Sequence, residues 1–172
     1  MKKLLLGIAA VCLAGFTFAQ DAPLWMRHSV ISPDGTTIAF TYKGDIYTVP
    51  VAGGRAMQIT TNPAYDTAPV WSPDSKRIAF ASDRMGSLDV YIVAKDGGEP
   101  RRLTTHSGSE TPLAFTDAGH VLFSAGIMPS AEAVVFPSNG QFNQVYRVSV
   151  EGGRPTMISS MPMECISINK EG

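Results

Sequence analysis

Apolar and polar residues alternate along this chain in short runs that are bounded by Gly, Pro, Asp and Ser. Such runs predict short β-strands, and residues 37–42 are an example, because Ile38 and Phe40 fall on one side of the predicted strand. The sequence Ser-Pro-Asp-Gly at 32–35 predicts the turn before it, and Lys43-Gly44 predicts a two-residue hairpin after it. No segment has a long helical periodicity free of Gly and Pro. The pattern therefore predicts an all-β fold.

The strand pattern repeats. Residues 68–80 lie 40 positions after residues 28–40, with Ser-Pro-Asp and Ile-Ala-Phe in the same places, and a shorter third copy covers residues 114–123. Each copy continues with an aromatic strand, a double glycine and a closing Ile-Thr, Leu-Thr or Ile-Ser. Four-stranded antiparallel repeats of about 40 residues are typical of β-propeller blades, whereas a single β-sandwich has no reason to repeat. Recurring aromatic residues are expected in the core between blades: Trp71, Phe40, Phe80, Phe123, Tyr47, Tyr91 and Tyr146.

The repeats predict a propeller segment over residues 20–172, which begins after a leader at 1–19. Blade 1 is expected at about 27–60, blade 2 at about 66–104, blade 3 at about 110–159, and the start of a fourth blade at 163–172. Because closed propellers have about four to eight blades, we expect an incomplete propeller and interpret the length as a truncation. Open blade faces would expose apolar surface, so the isolated chain is expected to be poorly soluble or self-associating.

The first 19 residues have the pattern of a secretory signal peptide: two lysines, an apolar run, and small residues before a cleavage site near Ala19. The run is too short to span a bilayer, and no later segment is long enough, so no membrane span is expected. Val11 is a poor residue before a lipidated cysteine, which disfavours lipid attachment at Cys12. The protein is expected to be exported, either to the periplasm or into the medium.

The composition is that of a globular protein, with 44% hydrophobic and 17% charged residues and a formal net charge of −1. A balanced charge provides no field that would recruit nucleic acid, so no nucleic-acid partner is expected. Cys165 is the one cysteine left after cleavage of the leader, which excludes an internal disulfide. Its apolar neighbours favour a small buried side chain over a nucleophile.

Residues that could carry catalysis are scarce. The chain has no G-x-S-x-G motif, and His106 beside the Ser107–Ser109 loop is interpreted as an exposed loop and not as a catalytic dyad. His28 and His120 lack metal-ligand spacing. We therefore expect no catalytic residue, no metal site and no cofactor in this chain.

Three acidic residues recur in the connections that precede the inner strands of the blades: Asp66, Glu110 and Glu164. These connections gather on one face of a propeller, so the carboxylates could form a ring that binds a cationic group such as a peptide amino terminus. The alternative is that each carboxylate accepts hydrogen bonds from its own loop. Arg84 is the basic candidate on the same face; Asp83, Arg84 and Asp89 bracket a hairpin, where an Asp–Arg pair could instead brace the loop.

The hairpin of blade 3 contains about 12 extra residues within the segment from Ser124 to Asn143. The segment is apolar, and we expect it to pack over the channel mouth or against a later domain. Its apolar residues include Ile127, Met128, Val134, Val135, Phe136 and Phe142.

The stretch from Asp66 to Tyr91 resembles the propeller repeat of the TolB and tricorn-protease families, which follows D-x-x-P-x-W-S-P-D-G, I-A-F-x-S and R-x-G-x-x-D-[IV]-Y. Ser75 replaces the glycine of that pattern. Trp25 to His28 and residues 144–155 resemble secreted bacterial tricorn-like proteases, and the resemblance covers residues 25–172.

The resemblance implies a non-catalytic propeller that handles or gates peptide substrates and precedes PDZ and serine-peptidase domains. The implied partners are peptides or proteins and those downstream domains, and the parent would be a serine peptidase. Two alternatives remain open: a TolB-like periplasmic protein-binding scaffold, and the propeller of a prolyl-oligopeptidase-type peptidase.

Overall fold

The computed structural model describes residues 25–106, 108–126 and 143–159, together with Met161 and Ile166. These residues form three four-stranded antiparallel sheets and no helix, which confirms the predicted all-β propeller architecture. In each sheet the spatial order of the strands is their order in the chain. Sheet 1 contains β1 (Arg27–Ile31), β2 (Thr37–Tyr42), β3 (Asp45–Pro50) and β4 (Met57–Gln58). Sheet 2 contains β5 (Asp66–Trp71), β6 (Arg77–Ser82), β7 (Asp89–Ala94) and β8 (Arg101–Arg102). Sheet 3 contains β9 (Glu110–Asp117), β10 (His120–Ala125), β11 (Gln144–Ser149) and β12 (Thr156–Ser159).

The turn between the first two strands is fixed by local hydrogen bonds. In sheet 1 the Ser32 hydroxyl donates to Asp34 Oδ1 at 2.6 Å and accepts from the backbone N–H of Thr37 at 3.0 Å. Ser72 does the same in sheet 2, donating to Asp74 Oδ1 at 2.5 Å and accepting from the Arg77 N–H at 2.9 Å. The Ser-Pro-Asp motif therefore recurs because it satisfies the backbone of a tight turn.

Ser75 stands where sheet 1 has Gly35, and both adopt a positive φ, 57° and 72° respectively. A left-handed backbone is strained for serine and not for glycine. The Ser75 hydroxyl, however, accepts a hydrogen bond of 3.1 Å from the backbone N–H of Asp34 in the neighbouring sheet. The departure from the family pattern thus supplies a contact between blades.

The sheets pack through faces of different composition. Sheet 1 presents the smaller aliphatic residues Ala39, Ile46 and Ile59, and they pack against an aromatic and aliphatic face of sheet 2 formed by Trp71, Ile78, Phe80, Tyr91 and Val93. Sheet 2 in turn presents Ala79, Val90, Ile92 and Leu103 to sheet 3, whose facing residues include Val121, Phe123, Tyr146 and Val148. The first strands of the sheets also contact one another, β1 with β5 and β5 with β9. Within the described residues, the three sheets form an open arc, as expected of an incomplete propeller.

Two of the seven recurring aromatic residues lie outside the cores between sheets. Phe40 and Tyr47 stack with ring centroids 5.8 Å apart, as Phe80 and Tyr91 do at 5.9 Å, but they lie on the side of sheet 1 that faces away from sheet 2. The repeat pattern correctly placed Phe40 and Tyr47 at the positions that match Phe80 and Tyr91. Their difference in environment arises because no described sheet precedes sheet 1. Apolar side chains are also exposed on the outermost strands, including Met57 and Ile158.

Candidate functional site

One end of the sheets carries the β2–β3 and β6–β7 hairpins and the β4–β5 and β8–β9 connections; we call it the hairpin end. The two junctions between sheets are built alike there. The backbone N–H of Asp66 donates to the Gly44 carbonyl at 2.7 Å, and that of Glu110 donates to the Leu88 carbonyl at 2.7 Å. Each inner strand is therefore held at its first residue by the hairpin of the preceding sheet.

The threonine that closes each of the first two repeats has a matching role. Thr60 Oγ1 accepts from the Ile46 N–H at 3.0 Å, and Thr104 Oγ1 accepts from the Val90 N–H at 2.9 Å. Both threonines are buried, so these bonds satisfy backbone groups that water does not reach. The recurring Ile-Thr or Leu-Thr ending thus anchors the last strand of a blade to its third strand.

Asp66 and Arg84 form a buried ion pair at the first junction. Arg84 Nη2 donates to both carboxylate oxygens of Asp66 at 3.0 and 3.1 Å, and its Nε donates to Ser82 Oγ at 2.8 Å. The Asp66 side chain is fully buried and that of Arg84 is 12% exposed. The guanidinium also lies 4.5 Å from the centroid of the Tyr91 ring. This geometry braces the β6–β7 hairpin, and the partner of Arg84 is Asp66 and not its neighbour Asp83.

Asp83 has a different local role. Its Oδ1 accepts from the backbone N–H of Tyr65 at 2.8 Å, so it holds the β4–β5 connection against the β6–β7 hairpin. Tyr65 itself is 42% exposed between the two hairpins, and Met85 at the tip of the second is 64% exposed. A cleft of about 260 Å³ opens beside Arg84 and is also lined by Thr60, Asn62 and Glu99.

The second junction buries Asp89 and Glu110, both with fully buried side chains. Arg102 Nη2 lies 2.8 Å from Asp89 Oδ2, in an ion pair without hydrogen-bond geometry. Burial, reinforced by the charge of Asp89, raises the pKa of the Glu110 carboxyl to about 7, while Thr104, Arg102 and the His106 backbone act in the opposite direction. Neither Oε atom of Glu110 makes a hydrogen bond of good geometry.

The structure thus brings three of the four sequence-predicted binding residues, Asp66, Arg84 and Glu110, to the hairpin end, while Glu164 lies outside the described residues. Neither Asp66 nor Glu110 reaches solvent in this structure. Asp66 accepts from the Arg84 guanidinium and not from the backbone of its own loop. Both the cation-binding role of the set and its alternative stay predictions. Sequence reasoning missed Arg102 as a partner for Asp89. Nothing in its position on the short outer strand β8 indicated that contact.

Two histidines of the described residues contact their own loop or turn, and His28 contacts the neighbouring sheet. His28 Nδ1 lies 3.1 Å from Thr67 Oγ1, His106 Nδ1 accepts from the Gly108 N–H at 3.0 Å, and His120 Nδ1 lies 3.0 Å from Asp117 Oδ2. No group of three or more His, Cys, Asp or Glu side chains in this part of the chain is arranged to hold a metal ion. Ser107, Cys165 and residues 127–142 of the long segment lie outside the described residues.

Over the described ranges, no helix has the length and hydrophobicity that crossing a membrane requires. The predicted leader at 1–19 falls outside those ranges, so the structure does not bear on export.

The known proteins that resemble this chain match it over the region of the repeats. The family model of the tricorn protease N-terminal β-propeller domain matches residues 23–172. Tricorn protease homolog 1 of Streptomyces coelicolor is 35% identical over 102 residues, which are 59% of this chain and 9% of that protein. The uncharacterized peptidase YuxL of Bacillus subtilis is 30% identical over 129 residues, which are 74% of this chain and 20% of that protein. The chain therefore spans at most a fifth of these relatives.

Solved structures agree on the fold. TolB from Acinetobacter baumannii superposes with a TM-score of 0.60 and 21% identity, covering 77% of this chain and 32% of that one. The tricorn protease gives a TM-score of 0.53 and 15% identity, covering 72% of this chain and 13% of that one. At these identities the likeness establishes the propeller-type blade packing and nothing about activity.

Proposed function

The chain belongs to the tricorn protease N-terminal β-propeller domain family, and we propose that it is the non-catalytic propeller part of an exported tricorn-like serine protease. In that role it handles or gates peptide substrates and contacts PDZ and peptidase domains that follow it. The observation that carries this proposal is the family match over residues 23–172, together with the three blade-like sheets.

The histidines of the described residues contact groups other than serine. Hydrolysis by a serine nucleophile needs a serine hydroxyl hydrogen-bonded to a base that a third group orients. In the described part of the chain, His28 contacts a threonine, His106 a backbone N–H and His120 an aspartate, so no Ser–His pair is formed there.

The hairpin end is the surface that we assign to peptide contact. Asp66 and Glu110 are buried, so contact with a substrate falls to the exposed side chains around them. Lys43, Tyr65 and Met85 are exposed there and combine a positive charge with apolar area. Aromatic and methionine side chains are common anchors in protein and peptide interfaces.

The test compares long and short substrates in the full-length protein that carries this chain. Tyr65→Ser combined with Met85→Ser is expected to lower kcat/KM for long peptides by about fivefold or more, since an anchor residue is worth more than about 1 kcal/mol. Cleavage of a short fluorogenic peptide should stay unchanged. Val51→Ser is the matched control, because Val51 is 46% exposed at a β3–β4 turn away from the hairpin end. Equal effects of the two sets of variants on long peptides would contradict the proposal.

A TolB-like scaffold is the second candidate, and a specific observation favours it. TolB of the Tol-Pal system of Bordetella pertussis is 44% identical over 55 residues, which are 31% of this chain. That function predicts stable capture of a folded partner protein by the full-length protein and no hydrolysis. A prolyl-oligopeptidase-type peptidase, the third candidate, predicts hydrolysis of short peptides only. Amino-terminal sequencing of the exported protein tests cleavage near Ala19.

A further inference from the structure

The two junctions between sheets contain the same kinds of charged group at the hairpin end. The first junction has Asp45, Asp66 and Arg84. The second has Asp89, Glu110 and Arg102. Each therefore combines two carboxylates with one guanidinium. The junctions differ in the hydrogen-bond partners of the carboxylate that does not form the ion pair.

At the first junction both carboxylates have partners. Asp66 accepts two hydrogen bonds from Arg84. Asp45 is half-buried, and it accepts from Gln58 Nε2 at 3.0 Å and from Thr60 Oγ1 at 3.3 Å. Burial, reinforced by the charge of Asp66, raises the pKa of the Asp45 carboxyl, while the hydrogen bonds from Thr60 and Gln58 act in the opposite direction. Asp45 nevertheless keeps two hydrogen-bond donors and partial contact with solvent, which Glu110 lacks.

At the second junction one carboxylate is left over. Arg102 pairs with Asp89 at 2.8 Å, and Glu110 is fully buried with no hydrogen bond of good geometry to either oxygen. Glu110 pairs with Ala125 in sheet 3 as Asp66 pairs with Ser82 in sheet 2. Two residues after Ser82 the chain supplies Arg84, whereas two residues after Ala125 it supplies Ile127. Blade 3 therefore has no arginine at the position that matches Arg84.

Within the ranges 25–106, 108–126 and 143–159, no element other than β8 brings a cation to Glu110. The preceding sheet places Asp89 and Arg102 beside it. The β8–β9 connection adds the Thr104 hydroxyl and the His106 backbone, which lower the pKa of Glu110 by less than burial raises it. The His106 ring does not provide a cation there, since its Nδ1 accepts from the Gly108 N–H. Gln144 on β11 and Ala125 on β10 are uncharged at this end. The remaining strands that pack on β9 present Asp66, which Arg84 already neutralises, and Ser82.

We propose that Glu110 binds a proton at neutral pH, and that this proton holds sheets 2 and 3 together at the hairpin end. A buried carboxylate without a counter-ion is costly, whereas a neutral carboxyl group is tolerated. As the pH rises, the O–H proton passes to solvent, and the negative charge left behind faces Asp89. The junction then opens so that water can reach Glu110. This pH-sensitive joint is a property of the second junction and is absent from the first.

The sign of the effect follows from the direction of the pKa shift. Burial raises the pKa of Glu110 from 4.5 to about 7, so the folded protein binds the proton more tightly than the unfolded chain does. The stabilisation is fully present below about pH 4.5 and is lost as the pH rises through about 7. Between about pH 4.5 and 7 the opening constant should rise about tenfold per pH unit, and above about 7 it should level off, which gives roughly a tenfold rise between pH 6 and pH 8.

The experiment follows the full chain by NMR. The Glu110 side-chain ¹³C carboxyl signal, assigned with Glu110→Gln, is expected to titrate with a midpoint near 7. Hydrogen exchange of the Glu110 amide, corrected for its intrinsic pH dependence, should speed up roughly tenfold between pH 6 and pH 8. Glu110→Gln should abolish this increase. Asp66→Asn is the matched control: it should weaken the first junction and leave the pH-dependent exchange of the Glu110 amide in place.

Asp89→Asn provides a second variant that leaves Glu110 in place. It removes the negative charge of Asp89 and frees Arg102. The midpoint of the Glu110 titration should therefore fall by about one pH unit or more, as expected when a neighbouring like charge is removed. A wild-type midpoint below about 5, or amide exchange that still speeds up in Glu110→Gln, would overturn the proposal. A midpoint that moves with added calcium chloride or methylguanidine would overturn it also, because a cation would then replace the proton.

Discussion

The ion pair between Asp66 and Arg84 offers a direct test of how the blades are joined. Asp66 is fully buried and Arg84 is 12% exposed, so solvent screens the pair little. Replacement of Arg84 by methionine keeps most of the apolar stem and removes the guanidinium. Asp66 is then left buried and charged, without its two hydrogen bonds of 3.0 and 3.1 Å.

The expected cost is large for a single substitution. Breaking a buried ion pair by removing one partner costs about 3–5 kcal/mol, and loss of the guanidinium from the Tyr91 ring, 4.5 Å away, adds up to about 1 kcal/mol. Total stabilities are about 5–15 kcal/mol, so Arg84→Met should lower the free energy of unfolding by a substantial fraction. The double variant with Asp66→Asn should recover about 2–3 kcal/mol of that loss, since no buried charge is left unpaired.

The assay is equilibrium unfolding in urea at pH 7, monitored by tryptophan fluorescence and by circular dichroism, for the wild type, both single variants and the double variant. All four proteins are compared at one low protein concentration, because self-association makes apparent stability depend on concentration. Arg101→Met is the control, because Arg101 pairs with Glu151 while the two side chains are 48% and 74% exposed. It should have a much smaller effect than Arg84→Met. Equal effects of the two arginine variants, or strict additivity of Asp66→Asn and Arg84→Met, would refute the reasoning.

Four further predictions concern two contacts between sheets, the association of the isolated chain and the long segment of blade 3. Ser75→Ala should destabilise the chain by about 1 kcal/mol in urea unfolding, because it loses the hydrogen bond from the Asp34 N–H. Ser75→Gly should cost less, because glycine also relieves the strain of the positive φ of 57°. Trp71→Phe removes the 3.2 Å bond from Nε1 to the Val30 carbonyl between sheets and should cost about 1 kcal/mol or more, measured in the same way. Sedimentation of the isolated chain should show self-association, and a monodisperse monomer with one cooperative transition would contradict that expectation. Deletion of residues 130–139 in the full-length protein should reduce peptide binding and cleavage, and unchanged values would argue against a role for the long segment.

The blade architecture could be predicted from the sequence because its determinants are local. A Ser-Pro-Asp turn is fixed by bonds within five residues of Ser32, and its recurrence at Ser72 revealed the repeat. Alternating apolar positions then indicated which side of each strand is buried. Family membership followed from the same motifs and is confirmed by the match over residues 23–172.

The partners of the charged residues could not be predicted, because they depend on how strands pair and sheets stack. Arg84 is adjacent to Asp83 in the chain, yet its partner is Asp66, 18 positions away. Arg102 contacts Asp89 only because β8 pairs with β7. The burial of Glu110 likewise depends on the stacking of sheet 3 on sheet 2. Their positions within the repeat place these residues at one end of the blades. Which of them form ion pairs is decided by the packing of strands and sheets.

Labelling of the full-length protein with a fluorophosphonate probe, followed by peptide mapping, tests the central claim most directly. A non-catalytic propeller of a serine protease predicts one labelled serine, located outside residues 25–172, and no label on the isolated chain. A labelled serine within residues 25–172 would contradict the account.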